Sequence, residues 1–425
     1  MKKIFLLLLI VSSLFTAVFA QKQVKYSDYF TDNSMRIDYY LTTGHDTIIS
    51  AIAQIKKEPY WAGTRTYLLD PFHYGYYRII VTDSATGKVI YTNGYNSLSE
   101  EWLREQRSKY VFKTFYEAVN IPYPKKTVRF KLLYRDKHNH FHLVIDTCIN
   151  PHYYKIVQEQ PPHFKTVNLL INGDPSHKVD LVFIPEGYGF GQMQQFINDA
   201  KRLVNALFSY KPFSEHKKDF NIRLILVPSP QSGTDIPSQH IWKVTMFDSH
   251  FSTFGAERYL TLNNYKTLKD IAAQVPYDQI VVLVNTKHYG GGGFYNFYNI
   301  QAAENPRATK IFVHEFGHSF ASLADEYVDP SMQNYYDTTV EPFEPNITTL
   351  VNFGKKWKDM VADTVPIPTP ATAKYKNVVG AFEGAGYASK GIYRPQQHCL
   401  MRSLAYPYCK VCQRAITRMI EYYTK

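Results

Sequence analysis

Short alternating runs of apolar and polar residues fill the first third of the chain. Residues 35–41 (MRIDYYL) and 77–82 (YRIIVT) alternate, and Ala85, Thr86 and Gly87 form a turn before a further run at 88–92. Residues 127–134 and 140–145 repeat the pattern on either side of a polar hairpin loop at 135–139. Antiparallel strands joined by short turns predict an N-terminal β-sandwich over residues 21–160, interrupted by a charged, helix-like stretch at 97–116. No catalytic constellation falls in this region, which reads as a packing or substrate-presenting module.

The pattern changes after the polar, proline-rich segment 158–163. A strand at 178–184 precedes a helix over about 192–207, whose Phe196, Leu203, Val204 and Leu207 lie on one stripe. Strands follow at 221–227 and 279–284, the second apolar enough to be buried on both faces. Residues 161–425 therefore read as a layered α/β domain with a mixed or parallel sheet, and the whole chain as α+β. No internal repeat is present.

Lys2 and Lys3, an apolar run at 4–11 and the small-residue site Val18-Phe19-Ala20 read as an export signal over residues 1–20. The run is short for a membrane anchor, and no later segment is long and apolar enough to span a bilayer. The formal charge of +11 falls to +9 without those two lysines, 46 basic residues against 37 acidic. The remaining basic residues are spread out, a solvated surface rather than a nucleic-acid site. An exported chain is expected in the periplasm, at the cell surface or outside the cell.

Export also changes the reading of the four cysteines. Cys399, Cys409 and Cys412 lie within 14 residues, and in an oxidising compartment a disulfide from Cys399 to Cys409 or Cys412 is expected. A zinc knuckle is the competing reading of Cys409-Lys-Val-Cys412, but there is only one CxxC, with His398-Cys399 as the only nearby help.

The chemistry concentrates at His314-Glu315-Phe-Gly-His318. Histidines four apart share one face of a helix and can meet a single Zn²⁺, and the glutamate after the first can take a proton from water activated by the metal. The apolar lead-in Ile311-Phe312-Val313 would bury the rest of that helix. The third ligand is less direct. A continued helix would carry Asp325 roughly 10 Å along the axis from His318, far beyond a bond of about 2 Å, so the chain must end the helix and fold back. Asp325 and Glu326 both qualify; Glu341 and Glu344 could serve only from a second helix, in a proline-flanked stretch that does not favour one.

HEFGHSFASLADEY at 314–327, SGTDIP at 232–237, the glycine run 290–293 and Cys399-Leu-Met401-Arg together resemble the exported IgA-specific metalloendopeptidases, a metzincin-like family of zinc peptidases. The resemblance covers most of the chain and implies a metzincin-like zinc-peptidase domain, with a mixed sheet and an active-site helix, after an N-terminal β-domain. It points to Asp325 as third ligand. Metzincins place a glycine and then a histidine or aspartate where this chain has Ala321 and Ala324, a departure on both counts. By the same resemblance Met401 is a Met-turn beneath the metal, Tyr406 a candidate oxyanion stabiliser, and Gly290 to Gly293 a rim strand for an extended peptide. Asp235 and Asp248 match family motifs without an assignable chemistry.

The sequence thus reads as a secreted zinc endopeptidase: His314, His318 and Asp325 on Zn²⁺, Glu315 as general base, and a protein or peptide substrate, which the resemblance makes an antibody heavy chain. An exported binding module for a host protein or glycan, or a zinc amidase on cell-wall peptide, are the alternatives. An intact His-Glu-His set speaks against the first, and only the cleft separates the second.

Overall fold

Strand β1 (Phe30–Gly44), entered from a helical turn, α1 (Tyr26–Tyr29), is the hinge of the architecture because both of its faces are covered. The structure, a computed structural model, describes residues 24–425 except 159 and 161, so the expected export signal at 1–20 lies outside the described residues. β1 pairs antiparallel with β2 (Thr47–Glu58) on one side and β5 (Lys113–Pro124) on the other. A second antiparallel sheet, in the order β4-β3-β6-β7, consists of β3 (Tyr77–Asp83), β4 (Val89–Tyr95), β6 (Val128–Arg135) and β7 (Phe141–Ile149). Ile37, Tyr39 and Leu41 of β1 meet Ile79, Val81, Phe130 and Leu132 of that sheet in one buried cluster. The N-terminal β-domain is as expected. The helix-like stretch is shorter: α2 spans Leu98–Arg104, a 3-10 turn follows at Gln106–Lys109, and the aromatic, β-branched residues after Val111 enter β5 instead.

The second half is built on a six-stranded mixed sheet in the order β14-β15-β13-β9-β10-β8. β9 (Val179–Glu186), β10 (Phe220–Ile225), β13 (Gln279–Val284) and β15 (Tyr298–Ala302) run parallel, and β8 (Thr166–Leu170) and β14 (Gly291–Phe294) close the two edges antiparallel. Two-residue strands β11 (Ser249–His250) and β12 (Thr261–Leu262) form a separate ladder. Helices α3 (Met193–Leu207), α5 (Ala308–Ala321) and α6 (Lys410–Thr424) cover one face of the sheet, while α4 (Tyr265–Ala272) packs toward the N-terminal domain.

Alternation along the central strands sorts their side chains into two cores. Leu181, Phe183, Val281 and Leu283 pack with the helices, whereas Val182, Ile184, Ile280 and Val282 join the cluster that holds the N-terminal sheets. The N-terminal domain is therefore the second cover of the six-stranded sheet rather than an appendage, and this is why the central strands read as continuous apolar runs.

One buried ion cluster fastens the halves. Arg36, on the other face of β1, lies 2.7 Å from Asp38, 3.0 Å from Glu58 and 2.8 Å from Asp270 of α4. Lys56 reaches the same Asp270 carboxylate at 3.0 Å. Burial opposes the charge on Asp270, but the Lys266, Arg36 and Lys56 cations outweigh it and hold its pKa down at about 2. A depressed carboxylate stabilises the fold above its unfolded pKa and loses that contribution as pH falls toward the folded value. Asp270→Asn should therefore lower unfolding stability at pH 7 by about 3 kcal/mol, because it leaves Arg36 buried without one partner. The loss relative to the parent should shrink between pH 4 and pH 2, as urea titrations at several pH values would show.

Candidate metal centre

Helix α5 is buried almost all round. Between Ile311 and Ala321 only His314, Glu315 and His318 are partly open, and all three line one cleft. Phe312, Phe316 and Phe320 stack along the opposite face against Phe213 and Tyr423. Gly317 answers a packing demand: a Cβ there would sit 2.8 Å from the Tyr408 hydroxyl and 3.1 Å from the Met401 sulfur. Met401 is fully buried under the helix, where a Met-turn residue would lie.

The helix ends at Ala321, and Ser322 takes a left-handed conformation (φ 52°). Ser322 N–H bonds back to His318 O at 3.1 Å and Leu323 N–H to Gly317 O at 3.2 Å, a helix stop with a serine where glycine is usual. Asn346 then fixes the reversed chain, accepting from Ala324 N at 2.7 Å and donating to Ala324 O at 2.9 Å. Beyond it the backbone lies against the hairpin of β16 (Phe382–Ala385) and β17 (Ala388–Arg394): Gly386 N donates to Asp325 O and Tyr387 N to Tyr327 O, each at 3.0 Å. In an extended segment neighbouring side chains point to opposite sides. Asp325 turns to the histidines, and Glu326 turns away to the three cysteines.

Asp325 Oδ1 stands 3.2 Å from His314 Nε2 and 3.4 Å from His318 Nε2, and the two nitrogens are 3.1 Å apart. Ligand atoms at about 2.0–2.2 Å from a tetrahedral ion are separated by about 3.3–3.5 Å, so these three atoms form nearly one face of such a tetrahedron. The donor set fits a metal in two further ways. Asp325 Oδ1 is buried with no hydrogen-bond partner. The outer imidazole nitrogens are engaged, His314 Nδ1 with Leu400 O at 3.1 Å and His318 Nδ1 with Leu323 O, which leaves each Nε2 lone pair inward. Tyr387 donates its hydroxyl to Asp325 Oδ2 at 2.8 Å.

Without an ion the triad holds a proton. Burial works against a charged imidazole, but Asp325 and then Glu315 outweigh it and push His318 up to about 9. Burial likewise opposes the Asp325 anion, and His318 and His314 hold its carboxyl far below the usual range.

The remaining candidates lie elsewhere around the site. Glu341 accepts from Asn352 N at 2.9 Å, and Glu344 accepts from Tyr336 at 3.0 Å; neither joins the triad. Tyr406 is 38% exposed, stacks on His398 and does not line the cleft, because the chain after Met401 carries it outward. The Cys399 disulfide is not formed. Cys399 and Cys412 sulfurs are 3.6 Å apart against a bond of about 2.0 Å, and all four cysteines are free thiols. Gly291 to Gly293 belong to edge strand β14, and close packing explains two glycines of the run: a Cβ at Gly293 would lie 2.2 Å from Glu315 O, and one at Gly290 2.2 Å from Arg258 O. The outer edge of β14 is already met by a bridge from Tyr259 to Gly291, so only part of it is open to a peptide. Asp235 accepts from Lys243 N at 2.6 Å and Asp248 from Asn263 at 2.9 Å, both loop-bracing contacts.

The cleft has a volume of about 1340 Å³ and is walled by both halves of the chain. Glu100, Glu101 and Arg104 of α2 line it together with the triad. Burial pushes Glu101 up to about 7, against the hydroxyl hydrogen donated by Tyr259.

A family model described as IgA Peptidase M64 matches residues 167–375 and 371–420, and one described as Peptidase M64 N-terminus matches residues 25–145. The chain belongs to the IgA peptidase M64 family. It is a metallopeptidase, and a protein substrate and a metal cofactor follow from that membership. Comparison with curated proteins gives no match. No described helix is long and apolar enough to cross a membrane. The residues that sequence reasoning missed are Tyr387, Asn346 and the carbonyls of Leu323 and Leu400; the two carbonyls lie within quoted motifs but are backbone groups, Tyr387 and Asn346 lie in no motif, and each acts by orienting a member of the triad.

Two outcomes follow from this geometry. Tyr387→Phe removes the hydroxyl that orients Asp325 and should weaken metal affinity by roughly 10-fold, as competition with a chromophoric chelator would show. In the parent chain one proton must leave His318 for the ion to bind, so apparent affinity should rise about tenfold per pH unit from pH 6 to 8 and flatten above about 9.

Proposed function

We propose that this metallopeptidase is an exported zinc endopeptidase in which His314, His318 and Asp325 are the protein ligands and Glu315 is the general base. The observation that carries the reading is the selective opening of α5: from Ile311 to Ala321 the helix is buried except at His314, Glu315 and His318. Two imidazoles and one carboxylate in a compact triangular face suit zinc with a fourth position left free. When bound, the ion supplies a Lewis acid for the scissile carbonyl and makes water a nucleophile near neutral pH.

The chain's own residues do the rest. Glu315 follows the first ligand on the same helix, beside the cleft, and takes the proton of the attacking water before passing it to the departing amine. Leu400 and Leu323 carbonyls hold the imidazole tautomers, and Tyr387 holds Asp325. A cleft of about 1340 Å³ exceeds the usual small-molecule range of about 300–1,000 Å³ and favours a length of polypeptide. Immunoglobulin A is the substrate that the family description suggests.

Antiparallel edge strand, active-site helix, reversed third ligand and buried Met401 support a metzincin-like arrangement within residues 161–425, preceded by the β-domain at 21–160 and a removable export signal at 1–20. Glu315→Gln keeps the shape of the side chain and removes its basic oxygen. Zinc stoichiometry should be unchanged while peptide cleavage falls by about 10²–10⁴-fold. Near-parent turnover in that variant would eliminate Glu315 as the base.

A further inference from the structure

On the far side of the Asp325 segment, Glu326 converges with Cys399, Cys409 and Cys412, and one ligand atom from each lies within 4.8 Å of the others. Glu326, Cys399 and Cys412 are fully buried and Cys409 is 4% exposed. Cys399 and Cys412 sulfurs are 3.6 Å apart, and Glu326 Oε1 is 3.3 Å from the Cys412 sulfur and 4.0 Å from that of Cys409. Bonds of about 2.3 Å to sulfur and 2.0 Å to oxygen place tetrahedral ligands about 3.8 Å apart for sulfur pairs and about 3.5 Å for sulfur and oxygen. The spacings match that polyhedron and not a disulfide.

We propose that Cys399, Cys409, Cys412 and Glu326 form a second, structural zinc site, distinct from the His314–His318–Asp325 triad. Three thiolates and a carboxylate are soft and tetrahedral enough for zinc, and four protein ligands leave no open position, as in structural rather than catalytic sites. Backbone donors favour the thiolates: Cys409 N–H points to the Cys399 sulfur at 3.3 Å and Cys412 N–H to the Cys409 sulfur at 3.4 Å, at the start of α6. Asn346 donates to Glu326 Oε1 at 2.9 Å, while Oε2 is buried without a partner. A carboxylate buried beside three sulfurs, with one of its oxygens left without a partner, has no apolar explanation, and a cation answers it.

The site would tie together the pieces that shape the cleft. Glu326 is next to Asp325 and its N–H bonds to Met401 O at 2.8 Å; Cys399 precedes Leu400, whose carbonyl orients His314; Cys409 and Cys412 open α6, which packs on α5. The role is positional, so the proposal stands whether or not the triad itself binds zinc.

Cobalt distinguishes the two centres. The chain, reduced and purified without oxygen, should bind two Co²⁺ and show an intense near-ultraviolet sulfur-to-cobalt charge-transfer band, which only the cysteine site can produce. A His314→Ala, His318→Ala double variant should keep that band and one metal per chain. Cys412→Ser should abolish or strongly weaken it. The unmutated chain decides the matter even if a variant fails to fold. No sulfur-to-cobalt band in the reduced parent chain would overturn the proposal. So would an intact mass of untreated protein showing a disulfide among Cys399, Cys409 and Cys412.

Discussion

Two imidazole nitrogens on successive turns of one helix stand 3.1 Å apart, and no residue further along that helix can reach the space beside them. The site therefore depends on ending α5 immediately after His318 and reversing the chain within a few residues. Ser322 accepts the left-handed turn, and Asn346 and the β16–β17 hairpin hold the returning strand. Asp325 then arrives with one oxygen toward the histidines and the other held by Tyr387. A loose turn would give a buried aspartate beside two histidines in several arrangements; the pairing with Gly386 and Tyr387 leaves one.

The rest of the fold keeps that turn and its helix in place. α5 is pressed between the glycine-lined edge strand β14 and the floor formed by Met401 and Tyr408, with no room for a Cβ at Gly293 or Gly317. The sheet beneath it draws on two cores, one from the helices and one from the N-terminal sheets. Because β1 is sandwiched between the second N-terminal sheet and α4, the N-terminal domain is committed to a fixed position, from which α2 contributes to the lining of the cleft.

Much of this is legible in the sequence where the information is local. The four-residue spacing of His314 and His318, the buried runs of β9 and β13 and the stripe of α3 are all periodicities, and the structure places α3 within a residue of the expected helix. Where partners come from distant segments, sequence reasoning fails. Asp325 and Glu326 are equivalent until the hairpin at 386–387 sets which side of an extended segment each occupies. Cys399 and the CxxC pair suggested a disulfide because their fourth neighbour, Glu326, lies more than seventy residues earlier. Tyr406 was the nearest tyrosine after Met401 along the chain, but Tyr387 is the one that reaches the site. The glycine run lies on an edge strand, and two of its members, Gly290 and Gly293, also answer close approaches by the carbonyls of Arg258 and Glu315 that the sequence does not show.

The proposed catalytic chemistry rests on Asp325 completing a metal site with the two histidines. Anomalous scattering at the zinc edge from crystals of zinc-loaded protein tests it most directly. The account predicts a peak about 2.0–2.2 Å from His314 Nε2, His318 Nε2 and an Asp325 carboxylate oxygen, with no fourth protein ligand. A zinc ion held by the histidines together with Glu326, Glu341 or Glu344, or no zinc beside the histidines at full loading, would contradict it.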